Sequence, residues 1–168
     1  MLKIAGMVLI FLAGAFAGVA ASASLNQRVT SFEQLIRFMT YLETRIRYSG
    51  APIYEILHQC IKADFGKLKF LKVSADLLAK GQKPEIAWKS AIKSCEDNGF
   101  TAQDRELIFS FGKDLGSSDI EGQINHCKTY RQLFQDRLKN ARLEAQSKGR
   151  LYITLGIAGG MGAVLLML

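Results

Sequence analysis

The sequence predicts an all-α protein: a six-helix antiparallel bundle over residues 24–150, flanked by transmembrane helices over 4–23 and 151–168. Two uncharged apolar blocks at the ends of the 168-residue chain predict the spans, because a helix needs about 20 residues, and at least about 17, to cross a bilayer. Between the blocks, apolar residues recur at the helical steps of three and four. With two prolines and no Gly/Ser-rich linker, nothing marks a second soluble domain.

The N-terminal block has a competing interpretation as a secretory signal peptide. Lys3, the apolar run and the small residues at 21–23 imitate a charged start, a core and a cleavage site. The run is longer than the usual signal core of about 7–15 residues. The helical period also continues through the cleavage site into Leu25 and Val29. We therefore favour a retained membrane span.

The basic residues predict which side of the membrane holds the bundle. Of the 22 Lys and Arg residues, all except Lys3 lie within residues 24–150, together with all 15 Asp and Glu residues. Short basic flanks of a span tend to stay in the cytoplasm. The sequence therefore predicts a cytosolic bundle, with both chain termini on the opposite side of the membrane.

The first bundle helix is predicted to continue from the N-terminal span to about Ser49. Only Glu43 interrupts its apolar stripe, which consists of Leu25, Val29, Phe32, Ile36, Met39 and Ile46. Gly50 and Pro52 then end this helix and start the next, because glycine accepts a left-handed backbone and proline suits a first helical turn.

Four shorter helices are predicted next. The first covers about 52–62 and the second about 67–80, where Gly81 ends it. The third begins at Pro84 and continues to a break at Asn98-Gly99. The fourth starts after Thr101.

Thr101 and Asp104 resemble the capping box that opens a helix, since their side chains can satisfy free N–H groups of the first turn. A last long helix begins at Ile120 and leads into the second span. Its stretch as far as residue 150 is about 45 Å long, and its apolar stripe is interrupted at Arg131.

The three cysteines predict neither a disulfide framework nor a zinc site. Cys60, Cys95 and Cys127 are 35 and 32 residues apart, which matches no zinc or redox spacing. Each falls on an apolar helical stripe, so we expect small core side chains. His58 and His126 lie near two of them, which leaves a two-site metal cluster open as the less favoured interpretation.

No pattern for catalysis or cofactor binding is found in the sequence. The chain has no P-loop, HExxH, GxSxG, CxxC or strand-following GxGxxG motif. We expect no enzymatic activity, no cofactor and no metal. A net charge of +7 would suit nucleic acid, but the cations surround the helices and concentrate at the membrane edge. The expected charged partner is therefore the lipid bilayer and not nucleic acid.

Small residues recur at four-residue steps in both apolar blocks. Gly14 with Gly18, and Gly156 with Gly160, form GxxxG steps, which let helix backbones approach closely in a membrane. We expect these glycines to pack the two spans together or to associate copies of the chain, which leaves a homo-oligomer open.

Four groups of residues form one further pattern across the chain. They are residues 42–48 (Leu-Glu-Thr-Arg-Ile-Arg-Tyr) followed by Pro52-Ile53, Phe111-Gly112, residues 115–119 with Gln123, and residues 155–160 leading to 165–167. In this order and at this spacing they resemble the stage III sporulation protein AB family. The resemblance implies a component of the membrane complex that joins mother cell and forespore, located in the mother-cell-derived outer forespore membrane.

The same resemblance implies that the soluble part is similar to the helical cytoplasmic domain of the platform proteins of type II secretion and type IV pilus machines. It implies as partners a cytoplasmic secretion-type ATPase of the same sporulation complex and other membrane components of that complex. The expected function is a non-enzymatic platform that couples the ATPase to the membrane machinery. A membrane-anchored adaptor of an unrelated complex and a small pore-forming membrane protein are the alternatives.

Glu43 is the main candidate for contact with a partner, and it also matches the family pattern. A carboxylate in an apolar seam needs a partner, which is either a basic residue of the same chain or an incoming protein. The first interpretation is favoured, and the second stays open. Arg45, Arg47, Asp119 and Gln123, which lie at helix ends, are weaker contact candidates.

Overall fold

The computed structural model describes residues 2–49, 51, 53–62, 65, 68–95 and 99–166, with the backbone alone at 2–5, 53–54, 60–62 and 166. Within these ranges it contains six helices and no strand. They are α1 (Leu2–Ser49), α2 (Ile53–Lys62), α3 (Lys69–Ala79), α4 (Pro84–Ser94), α5 (Ala102–Lys113) and α6 (Ile120–Leu166). The all-α class and the six helices are confirmed, whereas the antiparallel bundle arrangement stays a prediction.

The start of α5 is set by local side chains. The backbone N–H of Asp104 donates to Thr101 Oγ1 at 3.2 Å, and the backbone N–H of Thr101 donates to Asp104 Oδ2 at 2.9 Å. This reciprocal pair is a capping box, which satisfies two N–H groups that a helix start leaves free. The predicted cap is confirmed.

The end of α4 is earlier than predicted. The helix stops at Ser94 and does not continue to a break at Asn98-Gly99, of which Asn98 lies outside the described residues. The hydroxyl of Ser94 donates to the carbonyl of Ala91 at 3.0 Å. Cys95, the next residue, has a φ of −118° and a ψ of 69°, which lie outside the helical region, so the helix ends there.

Chain contacts divide the molecule into two compact units. The terminal unit consists of Met1–Val29 and Asn140–Leu168, and the central unit is Thr30–Lys139. Helices α1 and α6 each contribute residues to both units. The predicted boundaries near residues 23 and 150 concern the membrane and stay predictions.

Aromatic rings fill the core of the central unit. The ring centroid of Phe32 in α1 lies 5.0 Å from that of Phe100 and 6.3 Å from that of Phe134 in α6. Phe32 and Phe134 are 0 % exposed. Because each buried phenyl ring removes a large apolar area from water, these contacts are a main source of stability for the unit.

Trp88 joins α4 to α5 in the same core. Its indole N–H donates to the carbonyl of Ile108 at 2.9 Å, so its polar atom is satisfied although the side chain is buried. A Cβ atom placed on Gly112 would lie 2.1 Å from the indole nitrogen of Trp88. Glycine is therefore required at 112 for α4 and α5 to pack at this distance.

Among the described residues, one helix is long and apolar enough to cross a membrane by length and composition. It covers Gly6–Ser49, with a mean hydropathy of 2.1 in its most apolar window. The second predicted span, over 151–168, is helical as far as Leu166, and its last residues lie outside the described ranges. That span stays a prediction.

Candidate functional site

Glu43 is held inside the central unit by two arginines. Its Oε2 accepts a hydrogen bond from Arg131 Nη1 of α6 at 2.8 Å, and its Oε1 a longer one from Arg47 Nη2 at 3.5 Å. The Glu43 side chain is 13 % exposed. The two residues that interrupt the apolar stripes of α1 and α6 thus form one ion pair across the core.

The sequence contains a signal for this pair that stripe-by-stripe reading misses. Glu43 and Arg131 are opposite charges, and each stands alone in an otherwise apolar stripe. A charge in such a position needs a partner, and the other interruption is a natural choice when two stripes face each other. The geometry supports an intramolecular role for Glu43.

Cys127 lies close to this ion pair and behaves as a core residue. It is 1 % exposed, and burial, reinforced by the negative charge of Glu43, raises the pKa of its thiol to about 12. The thiol is therefore protonated and unreactive at neutral pH. Cys95 is half-buried just beyond the end of α4, and the side chain of Cys60 lies outside the described residues.

His126 is half-buried and packs against the core. Its Nε2 lies 2.9 Å from the carbonyl oxygen of Phe111, and its ring stacks on that of Phe111 with 5.2 Å between centroids. His58 is exposed. In the described part of the chain, no group of three or more His, Cys, Asp or Glu side chains is arranged to hold a metal ion.

An apolar groove of about 480 Å³ opens in the central unit. We call it the central groove. It brings together residues of all six helices. Its apolar lining includes Ile46, Leu57, Leu78, Trp88, Leu115 and Ile120. Ile120 is 56 % exposed. An accessible apolar side chain at the edge of a groove is a typical anchor for protein contacts.

Gln123 and Asp119 line the polar edge of the central groove. The Gln123 side chain accepts from the backbone N–H of Gly116 at 2.9 Å and donates to Ser118 Oγ at 2.8 Å. Asp119 Oδ1 accepts from the backbone N–H of Gly122 at 3.0 Å, which caps the start of α6. Both residues therefore shape the edge of the groove through bonds within the chain.

Arg45 and Arg47 flank the groove residue Ile46 on α1. Arg45 Nε donates to the hydroxyl of Tyr41 at 2.9 Å, and its guanidinium lies 5.1 Å from the centre of that ring. Both arginines are exposed. Four of the five contact candidates named from the sequence therefore lie on the central groove or beside one of its residues.

In the terminal unit, the predicted glycines of α1 and α6 lie against each other. A Cβ atom on Gly14 would lie 2.9 Å from the carbonyl oxygen of Gly156, and one on Gly18 would lie 2.5 Å from that of Tyr152. A Cβ atom on Gly160 would lie 3.1 Å from the carbonyl oxygen of Phe11. These backbones approach so closely that side chains other than hydrogen would separate them.

A second charged cluster in the terminal unit links the same two helices. Glu144 Oε2 accepts from Arg28 Nη1 at 2.8 Å, and its Oε1 accepts from Lys148 Nζ at 2.5 Å. The hydrogen bond from Lys148, together with the charges of Lys148 and Arg28, holds the pKa of the Glu144 carboxyl below its usual value. The bond raises the pKa of the Lys148 ammonium.

Fold and site together define a small, all-helical protein with an apolar N-terminal helix that fits membrane association. The family model of stage III sporulation protein AB (spore_III_AB) matches residues 3–168. The chain therefore belongs to that family and has a role related to sporulation. It is 27 % identical over 172 residues to "Stage III sporulation protein AB" of Bacillus subtilis (strain 168), with 100 % of both chains covered. No solved structure matches the chain.

Proposed function

We propose that this protein is a non-enzymatic platform of the sporulation complex that joins mother cell and forespore. In this proposal both apolar blocks cross the mother-cell-derived outer forespore membrane, and residues 24–150 lie in the cytosol. There they bind a cytoplasmic secretion-type ATPase of the same complex and couple it to the membrane machinery. The family membership supports the sporulation role. The continuity of α1 and α6 and the central groove support the finer assignment.

The observation that carries the proposal is the continuity of α1 and α6. Each is one uninterrupted helix, Leu2–Ser49 and Ile120–Leu166, and each contributes residues to both compact units. A continuous helix resists bending, whereas a Gly/Ser linker would absorb displacement. This continuity supports a role in transmitting movement from a bound ATPase to the membrane.

The central groove is the proposed contact surface for the ATPase. It combines an apolar lining with a polar edge at Asp119 and Gln123, as protein interfaces do at their core and rim. Its residues come from α1 and α6 as well as from the shorter helices. A protein bound in the groove would therefore touch both of the helices that continue into the terminal unit.

The test uses capture of the purified ATPase by the full chain in detergent. Ile120→Glu places a charge in the groove without burying it, and we expect capture to weaken by about thirtyfold, the loss of one interface anchor. Ile86→Glu is the matched control, because Ile86 is 53 % exposed, Ile120 is 56 % exposed, and Ile86 does not line the groove. Equal capture by both variants would contradict the assigned contact surface.

The continuity of α1 and α6 is tested by substitutions that lower helix propensity without changing the register of the helices. Glycine at the exposed positions Ala23, Ser24 and Ser147 disfavours helix by about 1 kcal/mol per site relative to alanine. We expect the glycine variant to lose sporulation while it still captures the ATPase. The control carries alanine at Ser24 and Ser147. Normal sporulation of the glycine variant would argue against mechanical coupling and for an adaptor.

A further inference from the structure

A cleft of about 380 Å³ lies between α1 and α6 in the terminal unit. We call it the terminal cleft. Its polar side chains are Ser22 of α1 and Gln146 and Arg150 of α6, and Ile153 provides apolar lining. It shares no lining residue with the central groove.

The cleft lies at the ends of the two apolar blocks. Ser22 belongs to the last turn of the block over 4–23, and Arg150 directly precedes the block over 151–168. Ile153 is within the second block. In a bilayer, polar and basic side chains at the end of a span meet lipid headgroups. Apolar side chains one turn further into the span meet the acyl chains.

The charge balance of the terminal unit leaves Arg150 available for an anion. Glu144 is the one acidic residue in the sequence of this unit. Its two carboxylate oxygens accept hydrogen bonds from Arg28 and Lys148. No acidic residue of the unit remains to neutralise Arg150, so an anion from outside the chain would meet an uncompensated guanidinium.

Gly149 keeps the cleft open. It is buried, and a Cβ atom placed on it would lie 3.1 Å from Ser22 Oγ. Any larger side chain would occupy space in the cleft beside Ser22. The cleft therefore depends on the absence of a side chain at a position that directly precedes its cation.

We infer that the terminal cleft binds the headgroup of an anionic phospholipid. The guanidinium of Arg150 pairs with the phosphodiester, since its planar fork matches two phosphate oxygens. Gln146 and Ser22 supply further hydrogen-bond donors, and the acyl chains follow Ile153. The inference rests on the proposed function only for the placement of the apolar blocks in a bilayer.

The experiment measures lipid retained by the purified full chain in a mild detergent, by native mass spectrometry after addition of phosphatidylglycerol or phosphatidylcholine. We expect phosphatidylglycerol to be retained preferentially. Arg150→Gln should weaken retention by about tenfold, the loss of one charge-assisted contact, and Arg150→Lys should restore part of it. Lys148→Gln is the matched control, with the same charge change two residues away and with Glu144 still bonded to Arg28.

Three outcomes would overturn the inference. Equal losses in Arg150→Gln and Lys148→Gln would reveal general charge attraction, and equal retention of the two lipids would exclude recognition of an anionic headgroup. Displacement of phosphatidylglycerol by an equal concentration of inorganic phosphate would assign the cleft to a free anion. Gly149→Leu keeps every charge and fills the cleft, so retention by this variant would also count against the site.

Circular dichroism of each variant verifies that the helices are intact, and Gly149→Leu provides a result that does not depend on Arg150. ATPase capture is measured in the same preparations. Loss of lipid selectivity with normal capture would overturn the cleft alone. Loss of capture with normal lipid selectivity would overturn the proposed ATPase contact alone.

Discussion

The central and terminal units use the same two helices, α1 and α6, but pack them in opposite ways. In the central unit, large rings separate the helix backbones, as between Phe32 and Phe134, whose centroids lie 6.3 Å apart. In the terminal unit, a Cβ atom on Gly156 would lie 3.0 Å from the Cα atom of Gly18. Bulky side chains pack the two helices together in the central unit, whereas glycines let the helix backbones approach closely in the terminal unit.

The proposed placement of the terminal unit in a bilayer accounts for this difference. In water, burial of a phenyl ring gains free energy in proportion to the apolar area removed. In lipid the surroundings are as apolar as the side chains, so helices gain by close backbone contact instead. Exposure follows the same division: Phe134 is 0 % exposed, whereas Phe16 in the terminal unit is 76 % exposed. The glycine contact and the exposed Phe16 are both consistent with the proposed pair of membrane-spanning helices.

The largest effect is expected from Phe134→Ala, which should cost about 3–5 kcal/mol of unfolding free energy, because it leaves a cavity in the aromatic core. Trp88, the one tryptophan in the chain, lies within this core and reports its unfolding by fluorescence. Phe16→Ala is the control in the other unit and should leave the Trp88 transition unchanged. Comparable shifts in both variants would contradict the division into an aromatic core and a lipid-facing surface.

The next effect concerns the glycine contact. Gly18→Ala should cost about 1–3 kcal/mol, the range for overpacking, because its Cβ atom would lie 2.5 Å from the carbonyl oxygen of Tyr152. Thermal loss of helix content in detergent measures it. Gly159→Ala is the control, since nothing lies within 4 Å of a Cβ atom there. If the two variants melt alike, the close contact of α1 with α6 is wrong.

Local rules predicted more of this molecule than pairings between distant residues. The capping box at Thr101 and the glycine that ends α3 depend on neighbours along the chain, and the structure contains both. The early end of α4 was missed because Cys95 fits the apolar period of the helix, and periodicity does not register that its backbone has left the helical region. The groove was missed as well, because it requires residues from all six helices to converge.

The Glu43–Arg131 ion pair depends on both local and distant features. Each charge is visible as an interruption of an apolar stripe, but the pairing joins residues far apart in the sequence. Glu43→Gln should destabilise the central unit by about 1–3 kcal/mol, because it leaves Arg131 without its carboxylate. The Trp88 transition measures it, with Arg131→Gln and the double variant completing a cycle. ATPase capture by the folded Glu43→Gln protein should be unchanged. Lost capture at unchanged stability would instead favour Glu43 as a residue of the interface.

The smallest effect is expected at the charged cluster of the terminal unit. Because the pKa of Glu144 in the folded protein lies below its ordinary value of 4.5, its stabilising contribution is complete above that pH and is lost as the pH falls through the lower, folded pKa. Glu144→Gln should remove this part of the acid sensitivity and cost about 1 kcal/mol or less, since ion pairs near the surface contribute little. Helix melting between about pH 6 and about pH 3 measures the effect, because this range brackets the ordinary pKa of glutamate. If Glu144→Gln leaves the acid profile unchanged, the ion pair with Arg28 contributes no measurable stability. The link between α1 and α6 in this unit would then be assigned to the glycine contact alone, because glycines do not titrate.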